Sequence, residues 1–171
     1  MNYMHRAMLQ KSCLAIAILG IVTVLSGLPL AHAQSVTTHT SNTLQQGAVD
    51  LLHRGQDKFQ RGDYRGAMLD LNAAIVQNPN DANIYFNRGL VLYALGDELG
   101  ALWDFEDTLL RNPRHARAYL HRAGLRLSLG YRSGAMQDLQ VAARLFSEQG
   151  DRIGYQKAQN LIKHFNIPTA L

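Results

Sequence analysis

The sequence has 171 residues, one cysteine and a formal charge of +4 at pH 7. A single cysteine excludes an internal disulfide and a cysteine-rich metal site. The charged residues are few and mixed in sign, which gives no basis for predicting a nucleic-acid-binding surface.

The first 33 residues have the pattern of a secretory signal peptide. Arg6 and Lys11 precede an apolar run over residues 14–25, and Ala31-His32-Ala33 places small residues at the expected cleavage positions. We therefore predict cleavage after Ala33. The alternative is an uncleaved membrane anchor, which is disfavoured because Ser, Gly and Pro at 26–29 interrupt the run before the roughly 20 residues of a membrane span.

Cleavage would remove Cys13, Arg6 and Lys11, so that no cysteine remains and the formal charge falls from +4 to +2. We expect an exported protein with no stable membrane span after signal cleavage. The periplasm is the expected compartment, with the thylakoid lumen or secretion as alternatives. Residues 34–47 are rich in Ser, Thr, Gln and Asn and are predicted to form a flexible linker.

From residue 48 onward the sequence repeats every 34 residues, a period typical of stacked helical units. Small and apolar residues recur at helical spacing in two stretches of each copy, which predicts two antiparallel helices per copy. Pro79 and Pro113 close the first two copies. Five columns are identical in all three copies, namely Arg54, Arg88 and Arg122; Gly62, Gly96 and Gly130; Gly66, Gly100 and Gly134; Ala67, Ala101 and Ala135; and Asp70, Asp104 and Asp138.

The second helix of each copy is expected to begin just after the glycine turn at Gly62, Gly96 or Gly130. Asp63 and Asp97 are placed to cap the first two of these helices. Tyr131 stands at the same place in the third copy and cannot cap, so that this helix is expected to begin at Ser133. The glycine four residues after each turn has no explanation in the sequence, since glycine weakens a helix.

Counted from Ala48, Ala82 and Ala116, each copy has small residues at positions 8 and 20 and a large apolar residue at position 24, with proline at position 32 in the first two. This pattern resembles the tetratricopeptide repeat (TPR) family, and Tyr-Phe-Asn-Arg-Gly at 85–89 resembles its bacterial, cyanobacterial-style members. The resemblance implies an all-α solenoid of three TPR units over 48–81, 82–115 and 116–149. Lys58 and Arg126 depart from the family at position 11, where a large apolar residue is usual.

The remaining segment, residues 150–171, is predicted to form a capping helix and tail. A solenoid needs a cover for the apolar side of its last unit. Ala158, Leu161, Ile162 and Phe165 fall on one helical stripe and can supply it.

Each helix pair has one charged residue on either buried face, an arginine at position 7 and an aspartate at position 23. A buried charge without a partner is strongly destabilising. We therefore predict structural ion pairs that join Arg54, Arg88 and Arg122 to Asp70, Asp104 and Asp138, within a unit or across to the next.

In the TPR family the first helices line a concave groove that holds a peptide or a partner helix. The resemblance implies that this groove is apolar and partly aromatic here, and that Asn87, Arg117 and His121 resemble a group that holds a C-terminal carboxylate, with Leu52 where the family has lysine. The linker or the cap could instead shield several of these apolar residues. The groove residues carried over are Leu52, His53, Gln56, Phe59, Phe86, Asn87, Leu90, Tyr93, Arg117, Leu120, His121 and Leu127.

The sequence contains no recognisable catalytic motif, so that no catalytic residue, enzyme activity or cofactor is predicted. His53 and His121 occupy equivalent positions two units apart, too far for a shared metal. Leu99, Trp103 and Leu110 lie near one stripe of a second helix, where we expect packing against the neighbouring unit rather than a second contact patch.

These patterns favour an exported protein–protein interaction scaffold or assembly factor. Its partner would be a protein or peptide, with no nucleic acid, and an oligomer is compatible with the sequence. The alternatives are a self-associating structural protein, in which the groove or the cap docks on another copy, and a small-ligand carrier or an enzyme.

Overall fold

A computed structural model describes the backbone of residues 30–166 and the side chains of residues 43–165. The predicted signal peptide therefore lies almost entirely outside the described residues. The first described helix begins at Leu30 and continues to Gln60, so that residues 34–47, expected to be a linker, are helical. Residues 34–46 contain neither proline nor glycine, and nothing in that stretch ends a helix.

Residues 30–166 form seven helices and no strand, which confirms the predicted all-α solenoid. The described residues from 44 onward belong to one compact unit, which contains all the contacts below. The helices, in chain order, are α1 (Leu30–Gln60), α2 (Tyr64–Gln77), α3 (Ala82–Ala94), α4 (Glu98–Arg111), α5 (Ala116–Ser128), α6 (Arg132–Glu148) and α7 (Arg152–Asn166).

Four glycines in the left-handed region of backbone conformation connect these helices. Gly62, Gly96 and Gly130 have φ of 80°, 85° and 81° and join the first to the second helix of each repeat. Gly150, with φ of 73°, makes the same kind of turn between α6 and α7. A side chain at these positions would be strained, which explains why the turn requires glycine.

The repeated glycine of the second helices is explained by the aspartate caps. Asp63 accepts a hydrogen bond from the Gly66 N–H at 2.9 Å, and Asp97 accepts one from the Gly100 N–H at 2.9 Å. A Cβ on either glycine would overlap the capping carboxylate. Glycine is therefore needed where the carboxylate comes closest to the helix.

The third repeat has no such cap, and the prediction that its second helix begins at Ser133 is wrong. Helix α6 begins at Arg132 although Tyr131 makes no side-chain cap. The Tyr131 carbonyl accepts a hydrogen bond from the Ala135 N–H at 3.0 Å, so that the backbone alone starts the helix. A Cβ on Gly134 would find its nearest neighbour at 3.5 Å, an ordinary contact.

Small residues at position 8 let the two helices of a repeat approach closely. A Cβ on Gly55 would lie 2.9 Å from Leu71 Cγ, and one on Gly89 would lie 2.8 Å from Phe105 Cε1. Both contacts are shorter than a packed core tolerates. The large residue at position 24 thus fills the space that glycine leaves on the facing helix.

The structure joins each arginine at position 7 to the aspartate sixteen residues later, within its own repeat. Every pair is bidentate, with N–O distances of 2.7 to 2.9 Å. The aspartates are buried, and the arginines reach them from the first helix of the repeat. A forked, two-point contact is the geometry that best compensates a buried carboxylate.

The cations at position 11 belong to the same clusters. Lys58 Nζ lies 2.8 Å from Asp70, and Arg126 Nη1 lies 2.8 Å from Asp138. Each of these aspartates therefore contacts two cations, whereas among the described residues Asp104 contacts Arg88 alone, because Leu92 stands at position 11 of the second repeat. Lys58 and Arg126, which replace the apolar residue usual at position 11, thus each form a second ion pair with the buried aspartate.

The pKa values of the first two of these aspartates are shifted in opposite directions. The hydrogen bonds from Arg54, with help from Lys58, lower the pKa of Asp70 to about 2. Burial raises the pKa of Asp104, and the bonds from Arg88 act against that effect. In the second repeat, the Asp104 carboxylate therefore depends on a single ion-pair partner, Arg88.

Leu99, Trp103 and Leu110 were expected to pack against the neighbouring unit, and the structure contradicts this expectation. All three side chains are exposed rather than buried against the neighbouring unit. They lie on the face opposite the buried residues Ala101, Asp104 and Phe105, and a neighbouring repeat does not cover that side.

Candidate functional site

An open groove of about 480 Å³ lies along the first helices of the repeats and the turns that follow the second helices. Helices α1, α3 and α5 supply most of its wall, and the turns after α4 and α6 supply the rest. Its lining residues are Leu52, His53, Gln56, Asn83, Phe86, Asn87, Asn112, Arg114, His115, Ala116, Arg117 and Gln149.

Half of the predicted groove residues line this groove. They are Leu52, His53, Gln56, Phe86, Asn87 and Arg117. The turns contribute residues that were not among the predicted ones, above all Arg114, His115 and Gln149. Arg114 and His115 directly follow Pro113, which closes the second repeat.

The other half of the predicted groove residues lie elsewhere. Phe59 packs against Tyr64 with ring centroids 5.6 Å apart, and Leu90 packs in the core of the second repeat. Leu120 and Leu127 pack in clusters that include Ile162 of α7. Tyr93 is exposed, and His121 lies between aromatic rings.

The floor of the groove is a cluster of rings around Phe86, which is only 3% exposed. The ring of His115 lies 4.6 Å away, and those of His121 and Phe105 lie 5.6 and 5.8 Å away. The Arg117 guanidinium sits 5.2 Å from the Phe86 ring centroid, within cation–π distance. Phe86 is therefore a core residue whose ring packs under the Arg117 guanidinium, and little of its surface is accessible to a partner.

The walls of the groove are polar, whereas an apolar groove was expected from the sequence. Amide, imidazole and guanidinium groups provide most of the lining, and Leu52 is buried like Phe86. None of the lining residues is acidic. The groove thus offers hydrogen-bond donors and positive charge more than it offers hydrophobic contact.

Several of these polar groups are held in place by bonds among themselves. Gln56 Nε2 donates to Asn87 Oδ1 at 3.2 Å, and Asn87 Nδ2 donates to the Asn83 carbonyl at 2.7 Å. On the opposite wall, Gln149 Nε2 donates to the Arg114 carbonyl at 2.9 Å. Fixed side chains lower the ordering cost of binding a segment.

The positive charge of the groove comes from arginines. His115 accepts the Ala118 N–H on Nδ1 at 3.1 Å, and burial lowers its pKa. Burial, with the nearby Arg117, lowers the pKa of His121 to about 4. Both imidazoles are therefore neutral near pH 7, while Arg117 remains charged.

Among the described residues, no group of three or more His, Cys, Asp or Glu side chains comes together as metal ligands would. None of the helices between residues 30 and 166 has the length and apolar character needed to cross a membrane.

The fold and one repeat match known proteins. The family model described as TPR repeat matches residues 55–96. The type III secretion translocator chaperone SycD of Yersinia enterocolitica superposes with a TM-score of 0.67 at 20% identity, over 74% of this chain and 86% of that chain.

Two solved complexes have the same fold. The first TPR of Spaghetti (RPAP3) bound to an HSP90 peptide has a TM-score of 0.64 at 20% identity, over 71% of this chain and 92% of that one. The TPR2B domain of yeast Sti1 in complex with pHsp70 has a TM-score of 0.59 at 23% identity, over 68% and 98%. The described part of this chain is thus a TPR-like helical solenoid, and its residues 55–96 match the model of the TPR repeat.

Proposed function

We propose that this protein is an exported interaction scaffold or assembly factor that captures a segment of a partner protein, as a peptide or a helix, in its groove. The observation that carries the proposal is the preformed polar wall that bears Arg117 and no acidic residue. The solved structures with this fold that contain bound HSP90 or Hsp70 segments support it by analogy.

The chemistry of the wall favours a segment with acidic or carboxylate groups. Arg117 is exposed above Phe86, and Arg114 reaches into the groove while Nη2 bonds Glu148 at 2.9 Å. Leu52 is buried where the family has a lysine, so the segment would be held by hydrogen bonds and two arginines. Such contacts act by steering and register as much as by affinity.

A capture experiment tests the groove. The protein is immobilised and exposed to the exported fraction of its producing cells, beside a variant with Asn83→Ala and Arg117→Ala. Both side chains are exposed, so that folding is expected to survive. Arg144→Ala, an exposed arginine of α6 outside the groove, is the matched control.

We expect at least one protein to be captured by the wild type and the control and lost from the groove variant. Equal capture by all three forms would contradict the proposed binding surface.

Export is proposed from the sequence of residues 1–33. The mass of the protein recovered outside the cytoplasm should correspond to a chain that begins at Gln34. Recovery of the full-length chain in the cytoplasm alone would contradict export and would leave the groove proposal intact.

A further inference from the structure

A histidine caps the helix that carries the exposed arginine of the groove. His115 is the N-cap residue of α5, and its Nδ1 accepts a hydrogen bond from the Ala118 N–H at 3.1 Å. Serine, threonine, aspartate and asparagine are the usual residues at the cap of a helix. At the equivalent place of the second repeat, Asp81 caps α3 through its carboxylate. The cap of α5 therefore depends on a nitrogen lone pair, which a proton removes.

The bond to Ala118 defines the protonation state of the imidazole. A neutral imidazole has one ring nitrogen that donates and one that accepts, whereas the cationic form has two donors. Since Nδ1 accepts here, His115 is neutral and carries its proton on Nε2. A proton on Nδ1 would point at the N–H group of Ala118. In this conformation the cap and a charged imidazole therefore exclude each other.

The imidazole is also one of the rings that surround Phe86. Its centroid lies 4.6 Å from that of Phe86, and the Arg117 guanidinium lies 5.2 Å from the same Phe86 centroid. Arg117 is the second residue of α5 and comes two positions after the cap. The cap and the ring contact therefore fix the turn of helix from which the groove arginine extends.

The charges next to His115 in the chain oppose a proton on its ring. Arg117 stands at the amino-terminal end of α5, where the helix dipole already disfavours a cation. Arg114 is the residue before His115, and its charge is paired with Glu148 of α6 at 2.9 Å. Burial, with Arg117 acting in the same direction, lowers the pKa of His115 from 6.5. At pH 7 the cap is therefore closed.

Helices α1, α5 and α7 contribute imidazoles and a lysine around the cap. His121 of α5 lies 5.6 Å from the Phe86 ring, and Lys157 of α7 acts on its charge. His53 of α1 lines the same groove, and the lining contains no acidic residue. The lining side chains of α3 carry no charge; they are Asn83, Phe86 and Asn87. A protonated His115 would find no carboxylate in the groove lining, so that it is best accommodated when the ring turns out to water.

We propose that His115 is a positioning residue of the groove, whose neutral imidazole holds the first turn of α5 and its Arg117 in place and whose protonation releases them. The proposal rests on the groove function for its biological use, since it names what would regulate that site. Mildly acid conditions would loosen the wall that bears Arg117. The wall of α1 and α3 would stay fixed, because the bond between Gln56 and Asn87 involves no titratable group.

Nuclear magnetic resonance of the isotope-labelled protein, without a ligand, tests this role between about pH 7 and 5. At pH 7 the proton of His115 should be found on Nε2. As the pH falls below 6.5, the opening equilibrium of the Ala118 amide, measured by hydrogen exchange, should rise by up to roughly tenfold per pH unit, because the open form takes up a proton. The ring-current shift of the Arg117 side-chain protons over Phe86 should shrink in the same range.

Two controls separate the cap from a general sensitivity to acid. The Ile84 amide stands at the same place of α3, behind the Asp81 cap, and its opening should not rise in this way. His115→Asn replaces the imidazole by a good capping residue that does not titrate. In this variant the Ala118 amide should stay protected at both ends of the pH range, although His121 is unchanged.

Four results would overturn the proposal. They are a proton on Nδ1 at pH 7, an opening of the Ala118 amide that does not depend on pH, the same pH dependence in His115→Asn, and an Arg117 signal that stays fixed while the Ala118 amide opens. The third result would make His121 the source. Since no ligand is present, a groove that captures no partner would leave these measurements unaffected, so that failure of the groove function and failure of the cap are told apart.

Discussion

At the scale of single residues, the three arginine–aspartate pairs differ in how much each aspartate depends on its arginine. Asp70 and Asp138 keep a second cation if the first is removed, because Lys58 and Arg126 lie 2.8 Å away. Asp104 has no such reserve. The same column of the repeat therefore differs in strength between copies.

Arg88→Met is accordingly expected to be costly. It leaves the buried Asp104 carboxylate without its only bidentate partner, and we expect a loss of about 3 kcal/mol in the free energy of unfolding. Arg54→Met, the matched variant of the first repeat, should lose clearly less, since Lys58 still reaches Asp70. Urea unfolding measures both, and full stability in Arg88→Met would remove the basis for the pairing.

His121 makes stability depend on pH. Its pKa is lowered from 6.5 to about 4 in the folded protein by burial, by Arg117 of its own helix, by Lys157 of α7 and by His115. Between these two pKa values, His121 is protonated in the unfolded chain but neutral in the folded protein. The free energy of unfolding is therefore highest above about pH 6.5 and declines as the pH falls toward 4.

The contribution amounts to about 3 kcal/mol at the low end of that range. His121→Leu should therefore flatten the dependence of the unfolding free energy on pH. His53→Leu, at the equivalent exposed position of the first repeat, should leave the wild-type dependence unchanged. If the two variants show the same pH dependence, buried imidazole is not its source.

The residues of the groove show why only part of the site could be predicted. The 34-residue period predicts which face of its helix Phe86 occupies. Its burial, however, is due to His115 and Arg117 (with His115 in the turn before α5), and the pattern within one repeat does not show contacts between repeats. The ion pairs were predictable because both members recur with the period. Lys58 and Arg126 were seen as exceptions because their partner is a charge rather than an apolar neighbour.

At the scale of helices, the glycine–aspartate cap can be tested by two substitutions of opposite effect. Gly100→Ala should be destabilising, because its Cβ would displace the Asp97 carboxylate and cost about 1 kcal/mol of capping. Gly134→Ala has no capping aspartate to displace and should gain about 0.5 to 1 kcal/mol from better helix propensity. Thermal unfolding gives both signs, and shifts in the same direction would show that the cap does not select glycine.

The combination of a glycine turn, a capping aspartate and a glycine in the first turn of the helix occurs once more in the chain, outside the 34-residue period. Gly150-Asp151 is followed by Gly154, whose N–H donates to Asp151 at 2.8 Å, and this turn begins α7. The pattern comes 20 residues after Gly130, so that a search at the repeat period does not find it. The existence of the last helix followed from its apolar stripe, whereas its turn did not.

At the scale of the whole molecule, α7 closes the third repeat. Ala158 is fully buried, and Leu120 and Leu127, expected to line the groove, pack in clusters that include Ile162. The sequence predicted a cap and left open that it shields apolar groove residues, as it does for Leu120 and Leu127. Five of the twelve predicted groove residues are lost to this cover and to packing within the repeats, while Tyr93 is exposed outside the groove.

Ala158→Glu should therefore release α7 and loosen the third repeat first. Because each unit of a solenoid is stabilised mainly by its neighbours, hydrogen exchange should rise in α5 and α6 while α2 and α3 stay protected. Asn160→Glu, on the exposed side of α7, should change little. A uniform rise along the chain would mean that the array unfolds as a single cooperative block.

The short span of each arginine–aspartate bond bears on how the chain acquires its structure. The two members are sixteen residues apart and belong to one hairpin, so that no later segment has to arrive before the buried carboxylate is neutralised. Hairpins can then form in order as the polypeptide emerges from the ribosome. A nascent chain that has released only its first hairpin already holds a unit whose interior charge is balanced.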